Sequence, residues 1–434
     1  MERDLGTGEL FWWRLGLSSA ANLIWTVSVQ GRLSLQTLEQ ALRLAQQRHP
    51  LLSVRVDSAG GRARFVRDGS LRVPVRVLQG SEPDRWVRET ELELNVPIPA
   101  SNHPLLRVVL IEGRDATDLV FTFHHCITDG PSSACVVRDV LSDYHRLSTR
   151  ERFEVPAAGL PPAFDTCIER KYLRFGRTKS LLVFFRQRLG RIASRERQLP
   201  AESRGENQGV WLRFLPGSLS PEETQALLGK CRARGTTLFG AVGAAYLEAI
   251  SRHVRLSGNE HIGLQSSVGV RSFLDPPLPD DVCCFAASGV PTMHRPGEAA
   301  DLWDLAADVK TKVADAISRG EMFYPGLLLR RMAFRIHRSQ DSFVRALRKP
   351  RIFNHITNDG VVRVPPGFGD LKVLDMTTAA SVQARQTGVI TLAMSTFNGR
   401  AGLHFFYVTP LVGDALGQAI ARDTFDVLRK QLSR

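Results

Sequence analysis

The sequence predicts an α+β (mixed α/β) protein built from two successive halves. At 434 residues the chain is long enough for two ordinary domains with well-filled cores. Its 43% hydrophobic and 23% charged residues are globular proportions. Strand-like and helix-like segments do not alternate as a doubly wound parallel sheet requires; they form two mixed groups, separated by a proline-containing stretch at 148–165.

In the first group, Asn22 to Gln30 is β-rich and reads as a strand. Leu35, Leu38, Ala41, Leu42 and Ala45 recur at helical spacing. Pro50 ends that helix, since it has no N–H to donate and forces His49 out of the helical region. Leu51 to Val56, Arg62 to Val66 and Leu71 to Leu78 read as short strands, 84–94 as a helix, and 105–111 and 119–123 as two further strands. Pro131 suits a first helical turn, and Val136, Val137, Val140, Leu141 and Tyr144 mark the buried face of the helix it opens. After 165 comes a basic segment with Arg170, Lys171, Arg174, Arg177, Lys179, Arg186, Arg188 and Arg191. The second group starts with a strand at Val210, then helices at 221–233 and 237–253, the latter capped by Thr236 or Thr237, and a strand at 262–270. An amphipathic helix is predicted over 301–317 and a cationic one over Tyr324 to Leu347, with Arg330, Arg331, Arg335, Arg338 and Arg345. Strands at 389–396 and 402–407 precede a helix over 411–432. The expected domains are residues 1–165 and 166–434.

The net charge of +13 is carried mostly by arginine. It reads either as a compositional bias toward Arg or as a surface that meets anions: coenzyme A phosphates, an acidic carrier protein or a membrane. No zinc-finger spacing or RNA-binding motif points to nucleic acid. No apolar run reaches the ~18 residues of a membrane span, and the charged N-terminus leads into no signal sequence, so a cytoplasmic protein is expected. Cys126, Cys135, Cys167, Cys231, Cys283 and Cys284 form no CxxC, and reduced thiols are expected.

The chemistry concentrates in Phe121-Thr122-Phe123-His124-His125-Cys126-Ile127-Thr128-Asp129-Gly130, a strand running through a loop into a helix. Adjacent residues of a strand face opposite sides, so at most one of the two histidines faces a given cleft. An imidazole with a pKa near ~6.5 suits removal of a proton from an attacking hydroxyl or amine at neutral pH. Such an attack on a thioester needs no enzyme nucleophile, and no G-x-S-x-G elbow is present. Two rivals stand beside this reading. His124, His125 and Asp129 could ligate a metal, although no HExxH or Cys cluster supports them. Cys126 could act as a nucleophile, although its position inside the motif suits packing.

The motif resembles the HHxxxDG signature of condensation domains and chloramphenicol-acetyltransferase-like acyltransferases. Leu33 to Arg55, with its Arg48-His49-Pro50 turn, is similar to that superfamily's opening. Val268-Gly269-Val270-Arg271 with Leu274-Asp275-Pro276-Pro277 is similar to its second-half segment carrying a fixed arginine, and Phe353 to Gly360 to its Ser-Asn-x-Gly-type strand end. The resemblance implies two chloramphenicol-acetyltransferase-like domains in a V with a tunnel between them. It implies His125 as general base, His124 as a structural residue, Asp129 paired with Arg271 to hold the loop, and Gly130 allowing close approach of loop and helix. Asn358 and Ser395 are candidate active-site lining.

The plant-type Asp-Phe-Gly-Trp-Gly motif is missing, with only an echo at Gly367-Phe368-Gly369-Asp370, so the chain looks closer to bacterial stand-alone, polyketide-associated members. Cys283-Cys284-Phe285 stands where relatives often have a Gly-Asn-like segment. The function implied is acyl transfer from an acyl-CoA or acidic acyl/peptidyl carrier-protein thioester to a hydroxyl of a natural-product or lipid acceptor. The alternatives are amide-forming condensation of carrier-bound substrates and a non-catalytic carrier-binding scaffold. No metal or cofactor is expected, the thioester being a substrate. A free-standing monomer is expected, with the basic helix 324–347 as a candidate docking face for a carrier protein or a membrane.

Overall fold

A computed structural model describes residues 2–59, 62–80, 82, 84–173, 176–202, 209–257, 259–297, 301–324, 340, 342–343, 352–381 and 388–433. By contact the chain divides into two compact units. The first comprises Met1–Ile168, Arg271–Ala286 and Val361–Val382; the second comprises Glu169–Val270, Ala287–Gly360 and Gln383–Arg434. The sequence suggests a single cut after residue 165, whereas the first unit also takes up two later segments.

In chain order the first unit contains β1 (Glu2–Asp4), α1 (Thr7–Gly16), β2 (Asn22–Gln30), α2 (Leu35–Arg48), β3 (Val54–Asp57), β4 (Arg64–Arg67), β5 (Val75–Gln79), α3 (Arg85–Asn95), β6 (Leu106–Glu112), β7 (Ala116–His124) and α4 (Gly130–Ser148). The second follows with α5 (Arg170–Leu173), α6 (Gly176–Ala193), β8 (Glu196–Arg197), β9 (Trp211–Leu215), β10 (Ser218–Leu219), α7 (Pro221–Ala233), α8 (Leu238–Ser251), β11 (His261–Gly269), β12 (Ala287–His294), α9 (Leu302–Ser318) and β13 (Ile352–Val361). β14 (Gly367–Phe368) and β15 (Leu371–Ala380) belong to the first unit, and β16 (Gly388–Phe397), β17 (Arg400–Thr409) and α10 (Asp414–Leu432) complete the second.

The first unit holds a three-stranded sheet, β1-β4-β3, and a six-stranded sheet, β14-β15-β2-β7-β6-β5. β2 and β7 pair antiparallel from Asn22↔His124 to Gln30↔Ala116, so the two motif histidines stand at the end of a central ladder. β2 is covered on both faces. The Trp25 indole donates to Ser133 Oγ of α4 (2.8 Å), while the next residue, Thr26, shares a hydroxyl hydrogen bond with Thr90 of α3 (2.8 Å). That double cover leaves β2 buried along nearly its whole length, polar residues included.

α2 starts where Ser34 Oγ accepts from the Thr37 N–H and buries Leu38, Ala41, Leu42 and Ala45. It stops at Arg48, and its last turn is clamped to α4. Arg48 donates to both carboxylate oxygens of Asp143 (2.8 and 3.1 Å), and His49 Nε2 lies 2.9 Å from Asp139. The Arg-His-Pro turn thus fixes the helix that begins at the end of the histidine motif.

In the second unit the sheet order is β10-β17-β16-β13-β11-β12, with β8 on β11 and β9 on β17. One face packs Ile262, Leu264, Ile356, Ile390, Leu392, Leu403 and Phe405 against α8, α9 and α10. Tyr246 of α8 donates to the Ile390 carbonyl at 2.9 Å.

Several elements depart from the sequence reading. Residues 50–53 form a 3-10 turn before β3, and the strand read over 71–78 shrinks to β5 at 75–79. α1, β12 and β15 are additional. The cationic helix read over 324–347 lies almost wholly outside the described residues.

Candidate functional site

β7 ends at His124, the chain turns through a 3-10 turn at His125–Ile127, and α4 begins at Gly130. Two backbone hydrogen bonds fix this corner: His124 N–H donates to Leu105 O (2.8 Å) and His125 N–H to Ala21 O (2.7 Å). His125 already lies in the 3-10 turn, so the histidines diverge through a change of backbone direction and not through the strand alternation that the sequence suggested.

His125 Nδ1 lies 2.8 Å from the Thr128 carbonyl. A carbonyl only accepts, so Nδ1 carries the proton and Nε2 of the neutral ring keeps its lone pair. Burial pushes the His125 pKa below the ordinary value, outweighing the Thr128 carbonyl and the Asp129 charge, which act the other way. The residue as a whole is 9% exposed.

His124 is different. Its Nδ1 accepts from the Cys126 N–H (3.2 Å), which places the neutral-ring proton on Nε2. Burial, with a smaller contribution from His125, lowers its pKa to about 3, so it is neutral at working pH.

α1 lies against this corner through Gly8, Trp12 and Gly16, one helical face at i, i+4 and i+8. Trp12 stacks on His125 with ring centroids 4.1 Å apart and planes 18° apart. Phe285 meets the same imidazole edge-on (5.6 Å, 75°) and also Trp12 (6.4 Å, 66°). A Cβ at Gly8 would lie 2.4 Å from the Phe285 ring, and one at Gly16 would lie 2.4 Å from His124 Nε2. The motif match does not reveal Trp12 or Phe285; the Gly-x3-Trp-x3-Gly spacing is the signal that could have. Gly16→Ala is expected to destabilise the fold by about 1–3 kcal/mol through overpacking against a fixed ring. Urea unfolding midpoints of the variant and wild type check this.

Asp129 is the N-cap of α4, its Oδ1 accepting from the Ser132 N–H (3.0 Å). Arg271 Nη2 reaches both Asp129 oxygens (3.2 and 3.1 Å), and Asp129 Oδ2 also accepts from the Ala286 N–H (3.1 Å). Arg271 donates further to the carbonyls of Pro279 (2.7 Å), Val282 (3.1 Å) and Cys284 (2.9 Å). Both side chains are buried. This pair ties the His125 loop to the segment that carries Phe285.

Gly130 is the buried first residue of α4. Asn358 and Ser395 fall in the second unit. Asn358 is exposed near the end of β13, where its Oδ1 accepts from the Gly360 N–H (2.9 Å); Ser395 is buried on β16. All six cysteines are free and buried. Burial raises the Cys126 pKa well above the ordinary thiol value and pushes Cys284 up to about 12, so neither is a thiolate at neutral pH. Among the described residues no group of three or more His, Cys, Asp or Glu could hold a metal ion, and no helix is long and apolar enough to cross a membrane.

Residues 214–408 match the family model for the phthiocerol/phthiodiolone dimycocerosyl transferase C-terminus. The chain is 22% identical over 308 residues to the phthiocerol/phthiodiolone dimycocerosyl transferase of Mycobacterium bovis, covering 70% of this chain and 71% of that protein. It is 26% identical over 331 residues to the phosphinothricin tripeptide synthetase PhsC of Streptomyces viridochromogenes, covering 73% of this chain and 30% of the synthetase. The chain spans less than a third of the length of the peptide synthetases it matches. Among solved structures, the TRI3 trichothecene 15-O-acetyltransferase of Fusarium sporotrichioides superposes with a TM-score of 0.75 at 14% identity, covering 98% of this chain and 95% of that one.

Proposed function

We propose that this chain, which resembles the condensation-domain and chloramphenicol-acetyltransferase-like acyltransferases, transfers an acyl group from a coenzyme A or carrier-protein thioester to a hydroxyl of a natural-product or lipid acceptor, with His125 as general base. The observation that carries this reading is the Nδ1–Thr128 hydrogen bond, which leaves Nε2 of a neutral, buried imidazole as the basic atom. Nε2 takes the proton of the acceptor hydroxyl as its oxygen attacks the thioester carbonyl carbon. The tetrahedral intermediate expels the thiolate, which recovers the proton from the imidazolium. The products are an ester and a free thiol, and no covalent enzyme intermediate forms. Asp129 and Arg271 serve as positioning residues that hold the loop, and His124 packs beneath it.

The test is a matrix of acyl-CoA and acyl-carrier donors against alcohol and amine acceptors, with products identified by mass. Ester formation with stoichiometric thiol release is expected. Thioesters left intact with every acceptor would overturn the reading and favour a carrier-binding scaffold. Amide-forming condensation is kept as a second reading because of the peptide-synthetase matches, and amide products alone would select it.

A pH dependence follows from the burial of His125. Lowering the pH protonates Nε2 and removes the base. Because burial depresses this pKa, the acid limb of kcat/KM should have its midpoint below the ordinary imidazole value of ~6.5. A midpoint at or above that value would contradict the assignment.

A further inference from the structure

α6 has a composition and a surface that the proposed chemistry leaves unused. Of the twelve exposed large apolar side chains among the described residues, five lie on this one helix: Leu181 (40% exposed), Leu182 (62%), Phe185 (54%), Leu189 (63%) and Ile192 (65%). Leu182, Phe185, Leu189 and Ile192 are spaced 3, 4 and 3 residues apart, and with Leu181 they fall within an arc of about 100° at helical pitch. The helix sequence also carries Arg177, Lys179, Arg186, Arg188 and Arg191 and no acidic residue.

Leu182 also lines a cleft of about 580 Å³ with Tyr172, Val183, Arg186, Arg319 and Glu321. Buried Glu321 is paired with both Arg186 and Arg319, and Arg319 also meets Asp315 at 4.0 Å.

We propose that α6 is an interfacial helix that seats this unit on a lipid bilayer carrying anionic headgroups. The apolar arc enters the headgroup–acyl boundary, and the helix sequence, with five cations and no acidic residue, is drawn to the negative surface. Two features favour a bilayer over an acidic protein partner. The apolar side chains run as one stripe along the helix from Leu181 to Ile192. The cations belong to the same helix as the stripe, as in membrane-surface helices. This inference is independent of the transfer chemistry.

The experiment is flotation of the full chain with phosphatidylcholine vesicles, with and without phosphatidylglycerol, at low and high salt. Wild type is expected to float with the anionic vesicles at low salt, and less with neutral vesicles or at high salt. Leu189→Asp/Ile192→Asp is expected to reduce that partition by about tenfold or more. Thermal unfolding should be unchanged, because both sites are exposed. If this variant folds poorly, Leu189→Ser/Ile192→Ser serves the same purpose. Absence of wild-type binding to anionic vesicles overturns the proposal, as does equal binding by a folded variant. Binding to an acidic carrier protein without binding to vesicles also overturns it.

Discussion

Arg271→Leu is expected to cost about 3–5 kcal/mol of stability, the penalty for breaking one side of a buried ion pair. The guanidinium bridges Asp129 and the carbonyls of Pro279, Val282 and Cys284, all within the first unit. Removing it leaves a buried carboxylate at the head of α4 with the Ser132 and Ala286 N–H groups as its remaining partners, and weakens the hold on the segment that carries Phe285. A domain is stable by only about 5–15 kcal/mol, so the soluble yield should fall sharply. Asp129→Asn keeps an oxygen to cap α4 but leaves Arg271 uncompensated, so it should cost less than Arg271→Leu while remaining destabilising. Urea denaturation of both variants orders them. A normally stable Arg271→Leu would show that the pair does not hold the loop. A rate loss in that variant exceeding its loss of folded protein would separate positioning of His125 from simple unfolding.

The second large effect is on rate. His125→Ala removes the only group assigned to proton transfer, and general-base catalysis of this kind is worth about 10²–10⁴-fold. The variant also empties the space between Trp12 and Phe285, so its stability must be measured alongside its turnover. His124 provides the contrast. Its Nδ1 is occupied by the Cys126 N–H and its Nε2 edge faces Gly16, so no geometry offers it to a substrate.

What the sequence made legible was local. The apolar spacing of α2, the Thr237 cap and the proline stop at Pro50 are written within a few residues of where they act. The histidine corner was legible through its motif, and the resemblance named Arg271 as the partner that the structure places on Asp129. What stayed hidden was long-range. β15 pairs with β2 in register Val373↔Val29, across more than three hundred residues, and no local pattern specifies such a pairing. The stacking of Trp12 on His125 joins residues more than a hundred positions apart, and only the glycine spacing on α1 hints that this helix must approach closely. The Cys283-Cys284-Phe285 segment departs from the pattern that the sequence otherwise resembles. Its consequence, an aromatic edge against the imidazole, became visible only with the fold.

Proton removal by His125 is tested most directly by the initial rate of thiol release by folded His125→Ala. It is compared with wild type under the donor and acceptor pair that the product matrix selects, with folded protein matched by circular dichroism. The predicted result is a loss of about 10²–10⁴-fold in kcat. Turnover equal to wild type in a folded variant would contradict His125 as the base.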